Sequence, residues 1–146
     1  MRLTSATALV LGAVLALGAC AQQTTTSAPA AAAATASKGD VAKTASGVFI
    51  GKSNHITTGH ASIGRVGNKW VVVLEDDFTF DGAPDPHVAL GSDGYRKDAS
   101  LSLLSSNSGR QVYEIPATLD VAEFNEVWIW CDKFAVPLGL AKLTLT

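Results

Sequence analysis

A thiol and three imidazoles are the soft and borderline donors of this chain: Cys131, His55, His60 and His87. Thiolate sulfur and neutral imidazole nitrogen suit zinc, copper and iron, so a site built from the four is chemically sensible. The spacing argues for it only weakly. His55 and His60 bracket Ile-Thr-Thr-Gly, and His87 follows Ala83-Pro84-Asp85-Pro86. One four-residue gap between histidines is common in polar loops. A blue-copper layout is disfavoured. Such sites draw a histidine, and often a methionine, from the loop after the cysteine, yet no histidine follows Cys131 and the single methionine is Met1. Copper sites of other layouts stay open.

Other chemistries have less support. Glu75, Asp76, Asp77, Asp81 and Asp85 crowd one stretch with Gly82. Calcium favours oxygen-rich loops, but their order does not fit a calcium-binding loop of the EF-hand type, and a solvated acidic turn is the simpler reading. There is no Gly-x-Ser-x-Gly elbow, no His-Glu-x-x-His and no phosphate-binding glycine loop. No spacing singles out a Ser-His-Asp triad, so a hydrolytic mechanism has no residues to stand on.

Cys131 ends the run Glu126-Val-Trp-Ile-Trp-Cys131. On a strand, Val127, Ile129 and Cys131 share one face, and Trp128 and Trp130 share the other. Both faces are apolar, which predicts a central strand. The cysteine then reads in two ways. It is a buried small hydrophobe, or it is a thiolate that ligates or cycles, for which Lys133 is the local cation available to lower its pKa.

The other cysteine, Cys20, closes Leu17-Gly18-Ala19-Cys20, which resembles a bacterial lipobox. Arg2 precedes an apolar run from Ala8 to Leu17 that is too short for a comfortable permanent span. Residues 1–19 therefore read as a lipoprotein signal peptide, with Cys20 lipidated after cleavage. Ala21, not Asp, follows the cysteine. That favours a cell-envelope lipoprotein in the outer membrane, facing the periplasm, if the cell has two membranes. Acyl chains hold firmly, since each buried methylene adds about 0.8 kcal/mol. Acylated Cys20 cannot pair with Cys131, so an oxidising compartment would hold one unpaired thiol.

Residues 20–46 hold that lipidated cysteine and an Ala/Thr/Ser tether with no aromatic residue and Val41 as its one large aliphatic. Such a segment buries too little to offset its ordering entropy and reads as a disordered spacer. Residues 47–146 carry every Trp, Phe and Tyr and suit one domain with one core. Cleavage removes Arg2, making the mature chain more acidic than the net −2 of the whole. No basic stripe exists, so nucleic acid is not an expected partner.

The domain reads as all-β. Trp70-Val-Val-Val-Leu74 is a β-branched run, and Gly67-Asn68 and Asp93-Gly94 are tight-turn signals. Strands are expected over 47–51, 60–66, 70–76, 86–91, 101–104, 110–115, 126–131 and 134–143, with a helical turn near Val121 to Asn125. About eight short strands and no convincing helix predict an antiparallel β-sandwich or barrel.

Three segments resemble the DM-thirteen domain, also called the electron-transfer DM-thirteen domain. They are Gly47-Val-Phe49 with His55-Ile-Thr-Thr-Gly59-His-Ala-Ser-Ile63; Leu74-Glu-Asp-Asp-Phe78 through Ala83-Pro84-Asp85-Pro-His87-Val88-Ala-Leu90; and Tyr113-Glu-Ile-Pro116 through Val127-Trp-Ile-Trp-Cys131-Asp-Lys-Phe134-Ala-Val136. The resemblance covers 47–146 and implies a redox or electron-transfer role for Cys131, a redox partner protein, and a metal or haem as cofactor candidates. Asp85 joins His55, His60 and His87 as a candidate ligand-binding residue. Two departures stand out: Ala83 where the family has Gly before Pro-Asp, and Pro137 after Val136, which predicts an edge or a bulge. The alternative is a non-catalytic envelope lipoprotein that binds a protein or a small ligand, with Cys131 structural.

Overall fold

The computed structural model describes residues 41–146. The expected signal peptide, the expected lipidation site Cys20 and residues 21–40 of the segment read as tether lie outside the described residues. Eleven strands and one 3-10 turn make up the described chain. The expectation of an all-β antiparallel fold holds.

The strands are β1 (Ala42–Gly51), β2 (Thr57–Thr58), β3 (His60–Val66), β4 (Lys69–Leu74), β5 (Thr79–Phe80) and β6 (Pro86–Gly91). They continue as β7 (Tyr95–Leu103), β8 (Gln111–Glu114), β9 (Glu126–Cys131), β10 (Val136–Lys142) and β11 (Thr144–Leu145). Their order is β7-β6-β9-β10-β1-β3-β4-β8, with β11 also on β1 and β2 paired with β5. β7 and β8 close on one another, so the layers form a nearly closed, barrel-like sandwich.

β1 joins the layers. Its first half pairs with β3 and β11, and Phe49–Gly51 pair with β10. Gly47 stands at the changeover, where a Cβ would overlap the Lys142 carbonyl. The strand also begins at Ala42, inside the segment read as spacer. Ala42–Ser46 bury little. They are ordered by the β3 ladder, by the Thr44 hydroxyl donating to the Ile63 carbonyl at 3.1 Å, and by Lys43 on Glu75 at 2.9 Å. Backbone pairing here outweighs composition.

β3 and β4 form a hairpin whose Gly67 has φ 57°, as the first position of a type II′ turn requires. β7 runs six residues further upstream than expected. Arg96, Lys97 and Asp98 mask it in the sequence, yet charge on an edge strand is what discourages edge-to-edge pairing. The expected helical turn is a 3-10 turn at Val121–Glu123, capped by Asp120, whose carboxylate accepts from the Ala122 N–H. Pro137 marks a bulge, with the β9–β10 register slipping between Pro137 and Gly139.

β9 is central, between β6 and β10. Val127, Ile129 and Cys131 point into the core between the layers with Phe49, Phe78, Val88, Leu90 and Leu138. Full burial of such side chains contributes about 1.5–3 kcal/mol each. The opposite face carries Trp128 with Ala89 and Leu140, and Trp130 and Tyr95 pack against them. No helix of the described residues is long and apolar enough to cross a membrane.

Candidate functional site

Cys131 closes β9 with 1% of its surface exposed. It is a free thiol, and Sγ–H donates to the Pro84 carbonyl at 3.1 Å. That carbonyl belongs to the loop entering β6. The loop is held by the Asp81 N–H on the Ile56 carbonyl at 3.1 Å and by the Asp132 N–H on the Asp85 carbonyl at 3.1 Å, and the Leu104 N–H fixes the start of β6 through the Pro86 carbonyl at 2.7 Å. Asp85 takes φ 54°, a strained value for a non-glycine residue. Ala83, the departure from the family pattern, takes no positive φ and packs against the core, so the turn accepts its methyl.

The same end of the sheet collects polar groups outside. His87 pairs across the ladder with Trp130 and so lies on the face opposite Cys131. Its Nε2 is 3.2 Å from Asp85 Oδ1 and 3.8 Å from Asp132 Oδ2. Asp132 also accepts a long hydrogen bond, 3.4 Å, from the Tyr95 hydroxyl. Burial and then the Asp132 charge push the Tyr95 phenol above its ordinary pKa. Tyr95 lies parallel on Trp130, with centroids 4.0 Å apart and planes 2° from parallel. Trp130 meets Trp128 edge-on at 6.3 Å, and Trp128 Nε1–H donates to buried Glu126 at 3.1 Å.

His55 and His60 sit elsewhere. Nδ1 of His55 donates to Asp81 Oδ1 at 2.9 Å, and the Ile56 N–H donates to the other oxygen at 3.0 Å. Nδ1 of His60 donates to Asp77 Oδ2 at 2.6 Å, with the His60 N–H on Oδ1 at 3.0 Å. Each carboxylate therefore pins one imidazole and one backbone amide. The His60 side-chain bond chiefly holds Asp77 below the usual carboxylate pKa, and the Ile56 amide followed by His55 does so for Asp81. Glu75 is engaged by Ser62, Lys43 and Arg110. Glu75, Asp77 and Asp81 thus act as local fasteners.

The sequence-predicted set therefore divides. Asp85 and His87 come together beside the strand end that carries Cys131, whereas His55 and His60 are fastened separately. Among the described residues no group of three or more His, Cys, Asp or Glu side chains is placed to hold a metal ion. Two open grooves lie away from the thiol. One, of about 530 Å³, is lined by Lys43, His60, Glu75 and Asp77, and the other, of about 350 Å³, by Ile63, Trp70, Phe124 and Leu145.

Sequence reasoning did not single out Tyr95, Asp132 or Glu126. Trp128 and Trp130 were legible as one face of β9, but Tyr95 reaches that face only because β7 bulges. Between Gly91↔Tyr95 and Ala89↔Ser100, β7 spends five residues against two on β6. A family model described as Electron transfer DM13 matches residues 49–143. No similar protein was found among curated sequences or among solved structures.

Proposed function

Because the chain belongs to the electron transfer DM13 family, we propose that it is a membrane-anchored bacterial lipoprotein whose β domain passes electrons at the cell envelope, with Cys131 as its redox thiol. The family match over nearly the whole described domain carries the electron-transfer reading. The placing of the thiol supports the role of Cys131. It lies at a strand end under the short loop before β6, whose last residue is held by one backbone hydrogen bond from Asp132, so a small local opening would uncover it. Acylated Cys20 anchors the chain, and a redox partner protein of the envelope supplies or takes the electrons.

The test is native mass spectrometry of the full chain, exported to a periplasm and purified without chelator or reductant, beside Cys131→Ser. Extra mass from an oxidised or capped sulfur, a metal or a haem that vanishes in the variant makes Cys131 the working site. Bare, reduced mass in both removes that role. Anchoring is tested separately. Cys20→Ser should move the protein from the membrane fraction to the soluble fraction, and retention in the membrane would sink the lipoprotein reading.

One observation favours a second reading. At 1% exposure Cys131 behaves as core filling, and the protein would then be a non-catalytic envelope lipoprotein. The groove lined by Ile63, Trp70, Phe124 and Leu145 is where a small apolar ligand would fit it.

A further inference from the structure

We propose that the Tyr95–Trp130 stack is the one-electron port of the domain, with Asp132 accepting the phenol proton. The inference rests on the electron-transfer reading for its chemistry, and it does not require Cys131 to react. Tyrosine and tryptophan are the readily oxidised aromatic side chains, and here they touch. At 4.0 Å and 2° the rings lie parallel and in direct contact, closer than the about 4.5–7 Å centroid separation that aromatic pairs usually take. Trp128 extends the array at 6.3 Å. The Trp128 indole is seated by its bond to Glu126 and by Gly91, where a Cβ would strike the indole. Tyr95 and Trp130 are partly exposed, so a partner reaches the ring edges while the backbone of β9 separates them from the core face.

Oxidising a phenol at neutral pH requires a place for its proton. The Tyr95 hydroxyl faces the Asp132 carboxylate at 3.4 Å, and His87 lies 3.8 Å from the other oxygen of Asp132. A general base within or just beyond hydrogen-bond reach is a working geometry, since such contacts tighten on engagement. A high-potential metal-centre oxidant of a partner takes one electron and is reduced by one unit. The Tyr95 O–H bond breaks, Asp132 becomes a carboxylic acid, and a neutral phenoxyl radical remains. A one-electron reductant of the thiol or ascorbate class returns the electron, and Asp132 returns the proton. Trp130, in van der Waals contact, shares the oxidising equivalent and widens the area from which an electron can leave.

The test is flash photolysis of the full chain with tris(bipyridine)ruthenium and a sacrificial quencher, read by transient absorption and electron paramagnetic resonance. The chain has two tyrosines, so assignment is direct. A tyrosyl radical should form in the wild type and in Tyr113→Phe, and should be absent in Tyr95→Phe, which keeps the ring for stacking. Asp132→Asn should slow its formation about tenfold or more, because the base is lost. Trp130→Phe, which keeps an aromatic ring, should lower the yield severalfold. A radical that persists in Tyr95→Phe, a wild-type rate in Asp132→Asn, an unchanged yield in Trp130→Phe or the absence of any tyrosyl radical would each overturn the proposal. Cys131→Ser run in parallel separates the two ideas. An unchanged radical there, with an inert thiol, leaves the port standing while the cysteine mechanism falls.

Discussion

The Cys131 thiol and the Pro84 carbonyl are hydrogen-bonded at 3.1 Å, which ties the end of β9 to the loop entering β6. The contact uses the thiol proton and covers the sulfur with backbone. Reaction at sulfur therefore requires the loop to lift, breaking the bonds from Cys131 to Pro84 and from Asp132 to Asp85. Alkylation in native buffer should be slow and should accelerate with denaturant well before global unfolding, the mark of a local opening. A thiol that reacts in native buffer as fast as a free peptide cysteine would contradict this arrangement. Cys131→Ala should cost about 1 kcal/mol by urea denaturation, the scale of deleting one well-packed group.

Glu126 predicts a larger effect. It is 3% exposed and accepts from Trp128 Nε1 at 3.1 Å and from the Gly94 N–H at 2.9 Å. Lys142 is 3.8 Å away and mostly exposed, so it contributes little. Glu126→Leu leaves two donors without an acceptor and should destabilise by about 2–4 kcal/mol. Glu126→Gln keeps an acceptor oxygen and should cost less than half as much. Equal losses in urea denaturation would mean that charge, not hydrogen bonding, is what Glu126 supplies.

The strand pattern was readable because burial and period agree. Val127, Ile129 and Cys131 alternate with Trp128 and Trp130, and both sets find apolar neighbours. Turns at Gly67-Asn68 and Asp93-Gly94 were readable for the same local reason. What stayed hidden depends on distant partners. Ala42–Ser46 become strand through a ladder to β3, and Tyr95 reaches Trp130 through bulges in β7. The pairing of each histidine with its own aspartate was hidden too. His55 meets Asp81 and His60 meets Asp77 only because β2 pairs with β5 and because the chain turns back between β4 and β5. A list of donor types cannot distinguish a converging site from three separate fasteners.

Gly91 predicts how the indole array is seated. A Cβ there would strike both the Gly94 carbonyl and the Trp128 indole. The carbonyl is backbone and cannot move cheaply, so the indole or the turn must shift. Gly91→Ala should destabilise by about 1–3 kcal/mol, as overpacking does, and should red-shift tryptophan emission as Trp128 leaves its buried seat. Stability and emission both at wild-type values would show that the seat is looser than the structure has it.

Acid sensitivity should centre on Glu75. Burial pushes its carboxyl upward, but the Ser62 hydroxyl, Lys43 and Arg110 outweigh burial and leave it below its ordinary value near 4.5. A carboxyl with a lower pKa folded than unfolded adds stability that is fully present above the unfolded value and is lost as pH falls through the folded one. Asp77 and Asp81 act in the same direction from below 3.8, weakly because they are solvated. Stability of the wild type should therefore hold from neutrality to about pH 5 and decline below it. Glu75→Gln should be less stable than the wild type at neutral pH, with the gap narrowing as pH falls below about 4.5, because the wild-type carboxylate is then protonated too. Urea midpoints measured for both proteins across that range decide it. A gap of constant size would mean that Glu75 acts through packing and neutral hydrogen bonds, and that its ion pairs to Lys43 and Arg110, which tie β1 and the start of β8 to the end of β4, contribute nothing to the fold.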